Sequence, residues 1–146
     1  MNTEFQYVGQ AYQIGRYPLH FNKIGNARES IVSGCSIHNS YNRIVGIQGT
    51  NNLLIKDNVS FRTKGHGYYF ANGDETNNTF NNNLALIVER SWSLLNTDKI
   101  PSTFWIRHPM NHFIGNSAGG SDGNGFWYDL ESQPRGSTFG TSSARP

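Results

Sequence analysis

Apolar and polar positions along this chain repeat over a long period rather than a helical one. In the stretch 30–70, an apolar residue is followed three places on by a small polar residue, and a short strand-like run begins nine places after that. Val32, Cys35 and the run 44–47 form one copy; Ile55, Asn58 and the run 67–70 form the next. Downstream, Phe80 and Asn83 lead after a longer gap to the run 103–106, and Phe113 and Asn116 lead to 125–128. The polar landmark is therefore Cys35, Asn58, Asn83, Asn116, at spacings of 23, 25 and 33. Self-similarity at such a period indicates a solenoid, and the longest spacing places one insertion between Asn83 and Thr103. The units are β-branched, aromatic and punctuated by Asn and Gly, which favours strands and turns. They lack the fixed leucines of a leucine-rich repeat. Stacked coils of a parallel β-helix follow, with each landmark Asn bonding its counterparts in the coils above and below.

Strand alternation sorts the side chains. Leu19, Val45, Tyr68, Phe104 and Phe126 point inward, as do Phe21, Ile47, Phe70, Ile106 and Tyr128, on which the coils are centred. One outward column is His20, Gly46, Tyr69, Trp105 and Trp127. A second is Asn22, Gln48, Ala71, Arg107 and Asp129. Tyr69, Trp105 and Trp127, stacked at about 4.8 Å per coil and flanked by Gln48, Arg107 and Asp129, suit the stacking of sugar rings and the capture of their hydroxyls. The competing expectation is that the insertion or a neighbouring domain covers them, since such a patch is rarely left bare.

Three segments are expected: irregular strands over 1–14, the β-helix over 15–132, and a Gly/Ser/Pro-rich flexible end or linker over 133–146. The insertion, 86–102, carries Trp92, Leu94 and Leu95 and is too apolar for a free loop, so a lid or short helix folded over one face is expected. A net charge of +2 without a Lys/Arg run gives no sign of nucleic-acid binding. The single Cys35 excludes an internal disulfide framework. No run of about 18 apolar residues indicates membrane insertion of this segment, and no leader pattern opens it, as in a piece of a longer chain.

Other polar residues are candidates of lower rank. Asp74 and Glu75 read as a solvated turn; with His66 they are the acid–base groups if the chain is an enzyme. The five histidines form no metal-ligand spacing, so neither metal nor cofactor is expected. Asn58-Val59-Ser60 and Asn77-Asn78-Thr79 match the N-glycosylation sequon, with Asn58 expected buried and Asn77, in a turn, the better acceptor.

The segments GRYPLHFN, GCSIHNSYNRIVGIQGTNNLLIKDNV, GHGYYFANGDETNN, SLLNTDKIPSTFW and GFWY resemble the β-helix region shared by fibrocystin-L, the cell-surface hyaluronidase transmembrane protein 2 and the cell-migration-inducing hyaluronan-binding protein. The resemblance implies an extracellular right-handed parallel β-helix within a large multidomain surface or secreted protein. Some members of that family degrade hyaluronan; the fibrocystin-like members are receptor-like. The family pattern has His where this chain has Asn22, a His-Gly-Thr-His-His run where it has Gln48-Gly49-Thr50-Asn51-Asn52, and Glu-Asp-Gly where it has Ala71-Asn72-Gly73. Asn22, Gln48 and Ala71 share one outward column. A His-His-Glu stack there would suit a metal or acid–base work; Asn, Gln and Ala supply neither.

The expected architecture is all-β: a right-handed parallel β-helix of about five coils with an Asn ladder and one lid-like insertion. The leading expectation for function is a non-catalytic extracellular module binding a hyaluronan-like glycan or a protein partner, alongside other domains of its parent chain. A hyaluronan-type depolymerase and a structural spacer in a surface or ciliary assembly are the alternatives.

Overall fold

Asn and Gly at positions of positive φ turn the chain sharply between short strands, and the strands pair parallel from coil to coil. The computed structural model describes residues 2–135 of the chain. Within them lie β1 (Glu4–Gln6), β2 (Leu19–Asn26), β3 (Ile31–Ser33), β4 (Ser36–Ser40), β5 (Val45–Asn51), β6 (Leu54–Lys56) and β7 (Val59–Lys64). They are followed by β8 (Tyr68–Phe70), β9 (Thr79–Asn81), β10 (Leu84–Glu89), β11 (Ser102–Ile106), β12 (His112–Ile114), β13 (Ser117–Gly119) and β14 (Asn124–Tyr128). One short 3₁₀ turn, Asn96–Lys99, is the only helix among the described residues.

Three parallel sheets enclose the core. Sheet A runs β1-β4-β7-β10-β13, sheet B β14-β11-β8-β5-β2, and sheet C β12-β9-β6-β3. The chain visits A, B and C in turn, which makes a β-solenoid of about four turns. Sheet B holds the five strands anticipated from the sequence; sheet C holds four, so the end coils are partial.

Register follows the hydrophobic pattern. Leu19, Val45, Tyr68, Phe104 and Phe126 align across sheet B, and Val32, Ile55, Phe80 and Phe113 align across sheet C. Inside, aromatic rings stack along the axis: Tyr68 on Phe104 at 4.9 Å, Phe104 on Phe126 at 4.6 Å, and Phe80 on Phe113 at 4.9 Å. Parallel, in-register strands bring like rings to one spacing, and their flat faces fill the space between sheets.

Sheet A fills its inward face with smaller residues. Its inward column is Phe5, Ile37, Ser60, Ala85 and Ala118, small residues in three of five coils, while Val59 and Phe61 face out. Each of its three central strands contains a left-handed residue at the same level: Asn39, Arg62 and Ile87, with φ of 52°, 55° and 59°.

The Asn ladder is present at the turn between sheets C and A. Asn58 Oδ1 accepts from the Cys35 N–H at 2.9 Å, and Asn58 Nδ2 donates to Asn83 Oδ1 at 2.9 Å. Asn83 Nδ2 donates in turn to Asn116 Oδ1 at 2.8 Å. A second ladder, unforeseen in the sequence, stands at the turn between B and C: the Leu53 N–H donates to Asn78 Oδ1 at 3.0 Å, and Asn78 Nδ2 to Asn111 Oδ1 at 3.1 Å. Residues 2–14 contribute β1, which pairs with β4. The segment expected to be flexible, 133–146, lies outside the described residues beyond Arg135.

Candidate functional site

The outer face of sheet B carries the chemistry. His20, Gly46, Tyr69, Trp105 and Trp127 align in one column, as alternation requires. That column is not a bare stripe. Tyr69 and Trp105 are each only 7% exposed, whereas Trp127 is 45% exposed. Two additions account for the difference. Gly46 leaves the space that the Tyr17 ring occupies; a Cβ there would sit 2.2 Å from it. Beyond it, the segment between β10 and β11 lays the 3₁₀ turn Asn96–Lys99 beside Trp105.

Beneath this layer lies a buried ion pair. Arg43, just before β5, donates Nε to Asp98 Oδ1 at 3.0 Å and an η nitrogen to Asp98 Oδ2 at 2.5 Å. Its other η nitrogen donates to the Tyr17 hydroxyl at 3.0 Å, and its guanidinium sits 3.7 Å from the Tyr69 ring centroid. Planar bidentate pairing with an aromatic face is what guanidinium geometry favours. Gly65, at φ +85°, lets the carboxylate approach, since a Cβ would meet Asp98 Oδ1 at 2.5 Å. Burial opposes charge on both groups, but their mutual attraction prevails: the Arg43 pKa is raised and the Asp98 carboxyl is held below its ordinary value.

His66 completes the cluster. Its ring lies 4.3 Å from Trp105 and 5.5 Å from Tyr69, and Nδ1 accepts from the Ser102 N–H at 3.0 Å. Nδ1 thus has no proton, and the neutral ring carries it on Nε2. Burial, reinforced by Arg43 and opposed by Asp98, pushes its pKa down to about 3. Glu75, expected in a solvated turn, is instead fully buried. Its carboxylate accepts from the N–H groups of Asn72 at 3.0 Å, Gly73 at 2.8 Å and Gly49 at 3.1 Å, clamping two coils together. Burial raises its pKa while these N–H groups oppose the rise. His66 precedes β8 and Glu75 follows it, and the two belong to separate networks. Asp74 stands beside Glu75, and its charge adds to the rise of the Glu75 pKa.

The second outward column is also tied down. Arg107, only 3% exposed, donates to the Ala71 carbonyl at 3.2 Å and pairs with Asp129 at 3.3 Å and Glu131 at 2.5 Å. Gln48 donates to Asn72 Oδ1 at 3.4 Å. Arg107 and Tyr69 are therefore both buried, Arg107 in ion pairs and Tyr69 against the Arg43 guanidinium. What stays open is a groove of about 360 Å³ where Trp105 and Trp127 meet Asn96, Thr97, Ile100 and Asn124. Arg43, Asp98 and Tyr17 were not foreseen as partners. The signal available was an Arg set directly before a core strand with no charged residue near it in sequence.

Among the described residues, no group of three or more His, Cys, Asp or Glu is placed to hold a metal ion, and no helix is long and apolar enough to cross a membrane.

Fold and site define a parallel β-solenoid module with a buried polar-aromatic cluster on the outer face of one sheet and a tryptophan-lined groove beside it. The chain belongs to the CEMIP beta-helix family, whose model matches residues 1–145. It is 39% identical over 138 residues to fibrocystin-L of Mus musculus, covering 94% of this chain and 3% of that protein. It is 37% identical over 170 residues to the cell surface hyaluronidase CEMIP2 of Homo sapiens, covering 94% and 12%. With the human cell migration-inducing and hyaluronan-binding protein it shares 33% identity over 173 residues, covering 97% and 13%. The chain thus spans between 3% and 13% of the length of these relatives.

Proposed function

We propose that this chain is a non-catalytic, extracellular β-helix module that binds a saccharide chain in the groove between Trp105 and Trp127. The half-exposed Trp127, at the mouth of a groove floored by the buried Trp105, carries the reading. An indole face offers a flat apolar surface to a sugar ring, while Asn96, Thr97 and Asn124 supply donors and acceptors for hydroxyls. Hyaluronan is the first ligand to try, because relatives carry hyaluronidase and hyaluronan-binding in their names. Acid–base chemistry is disfavoured by the placement of the candidates. His66 is buried and neutral, and Glu75 is engaged by three backbone N–H groups.

The test is titration with hyaluronan oligosaccharides, followed by tryptophan fluorescence and by chain length of the polymer. Binding without shortening is expected. Trp127→Ala should weaken it by about 1 kcal/mol or more, on the scale of aromatic contacts beyond area burial. Shortening of hyaluronan would replace the module with the depolymerase. No response from any glycan tried would leave the spacer, or a protein partner supplied by the parent chain.

A further inference from the structure

Two sequons occur in the chain, and the fold treats them in opposite ways. Asn58 is 1% exposed and fully engaged: Oδ1 accepts from Cys35, and Nδ2 donates to the Val32 carbonyl at 3.1 Å and to Asn83 at 2.9 Å. A substituent on that nitrogen would remove one of its two N–H donors and force a sugar into the interior. Asn77 lies in the turn between β8 and β9, exposed, at φ 56°. Its backbone N–H donates to the Met110 carbonyl at 2.6 Å, which fixes the turn without using the side chain. The two residues after it are oriented for the fold: Asn78 turns inward to the second ladder, and Thr79 begins β9 with its N–H on the Leu53 carbonyl at 2.9 Å.

We infer that Asn77 is the N-glycosylation acceptor of this module and that Asn58 is closed to modification in the folded chain. Asn is well suited to the left-handed conformation that the turn requires, and its carboxamide has no hydrogen-bond partner among the described residues. In the reaction, Asn77 Nδ2 attacks the anomeric carbon of a lipid-pyrophosphate-linked oligosaccharide. The N–C bond forms as the C–O bond to pyrophosphate breaks, and one amide proton leaves. The turn joins the ends of sheet-B strands to sheet C, whereas Asn124 and the segment before β11 bring the groove to the other ends of those strands. A glycan at Asn77 leaves the Trp105–Trp127 groove open and adds a bulky, solubilising group to a polar corner.

The test is expression of this chain behind a cleavable secretion leader in eukaryotic cells. Peptides from both secreted and cell-retained protein are then mapped by mass after enzymatic deglycosylation in heavy-oxygen water, which converts a glycosylated Asn to labelled Asp. Secreted, cooperatively melting protein should carry label at position 77 in most molecules and none at 58. Asn77→Gly, which keeps the turn's backbone freedom, and Thr79→Val, which keeps the strand's branched shape, should each abolish it. Folded protein unmodified at Asn77 overturns the inference, as does secreted, folded protein with a glycan at Asn58. Label at Asn58 confined to retained, non-melting chain is the result expected if modification there blocks the ladder.

Discussion

Arg43 Nε lies 3.0 Å from Asp98 Oδ1, and the two residues, 55 apart in the chain, are 1% and 0% exposed. This pair fastens the segment before β11 to the body of the solenoid. Removing one partner leaves the other charged and buried, so Asp98→Ala should destabilise the fold by about 3–5 kcal/mol. The double replacement Arg43→Met with Asp98→Leu should recover much of that loss, because it removes both charges. Urea melts of the two variants against wild type decide the matter. Equal losses in single and double variants would mean that packing of the segment, rather than charge pairing, holds it.

The ladder predicts a sharp contrast between neighbours. Asn83 receives from Asn58 and donates to Asn116 and to the Ile55 carbonyl. Asn83→Leu should cost about 1–3 kcal/mol through stranded buried partners. Exposed Asn81→Ala should stay within about 0.5 kcal/mol of wild type. Denaturant midpoints that move equally would contradict the assigned roles.

Stability should fall in mild acid because of His66. Its folded pKa, about 3, lies below the ordinary 6.5, so the unfolded chain binds a proton first as pH drops. Above 6.5 the effect is absent; below it, stability declines by about 1.4 kcal/mol per pH unit until the folded ring titrates. Glu75 works the other way near and above its ordinary 4.5, because its folded pKa is raised. Urea midpoints between pH 7.5 and 5 should therefore fall in wild type and fall less steeply in His66→Gln, where His20, whose pKa burial also lowers, still contributes. A parallel slope in the variant would assign the acid sensitivity to other groups.

Ile87 should be a site of easy stabilisation. A β-branched residue at φ 59° is strained. Asn39 and Arg62 occupy the same conformation in the coils before it. Ile87→Asn should raise stability by about 1 kcal/mol, less whatever its contact over Gly120 contributes. A lowered melting temperature would show that this contact outweighs the strain.

The sequence carried the two sheets whose inward residues are large. Phe21, Ile47, Phe70 and Val32, Ile55, Phe80 alternate with polar neighbours or recur at fixed distance from an Asn, and both signals survive into register. Sheet A left no such trace, because Ser60, Ala85 and Ala118 face in while Val59 and Phe61 face out. Parity placed Tyr69 and Trp105 on the outer face, but alternation says nothing about a second layer. Tyr17 and Asp98 reach that layer from 52 positions before and 29 after Tyr69, over distances that no local pattern spans. Glu75 was misjudged for a related reason. A Gly-Asp-Glu turn looks solvated until the coil above supplies the Gly49 N–H.

Both Asn ladders point one way along the solenoid. Asn58, Asn78 and Asn83 each accept a backbone N–H of the coil before through Oδ1, and each divides its Nδ2 donors between a carbonyl of the coil before and the next ladder Oδ1. Stripping coils from the carboxyl end strands N–H donors, the groups least tolerated without partners. Stripping them from the amino end strands one Nδ2 donor and one carboxamide oxygen per ladder, and the oxygen tolerates it better. The molecule therefore has a vulnerable end and a resistant one. Its hydrogen-exchange protection should fall off more steeply from the Asn116 side, where two N–H donors lose their partner, than from the Cys35 side, where one does.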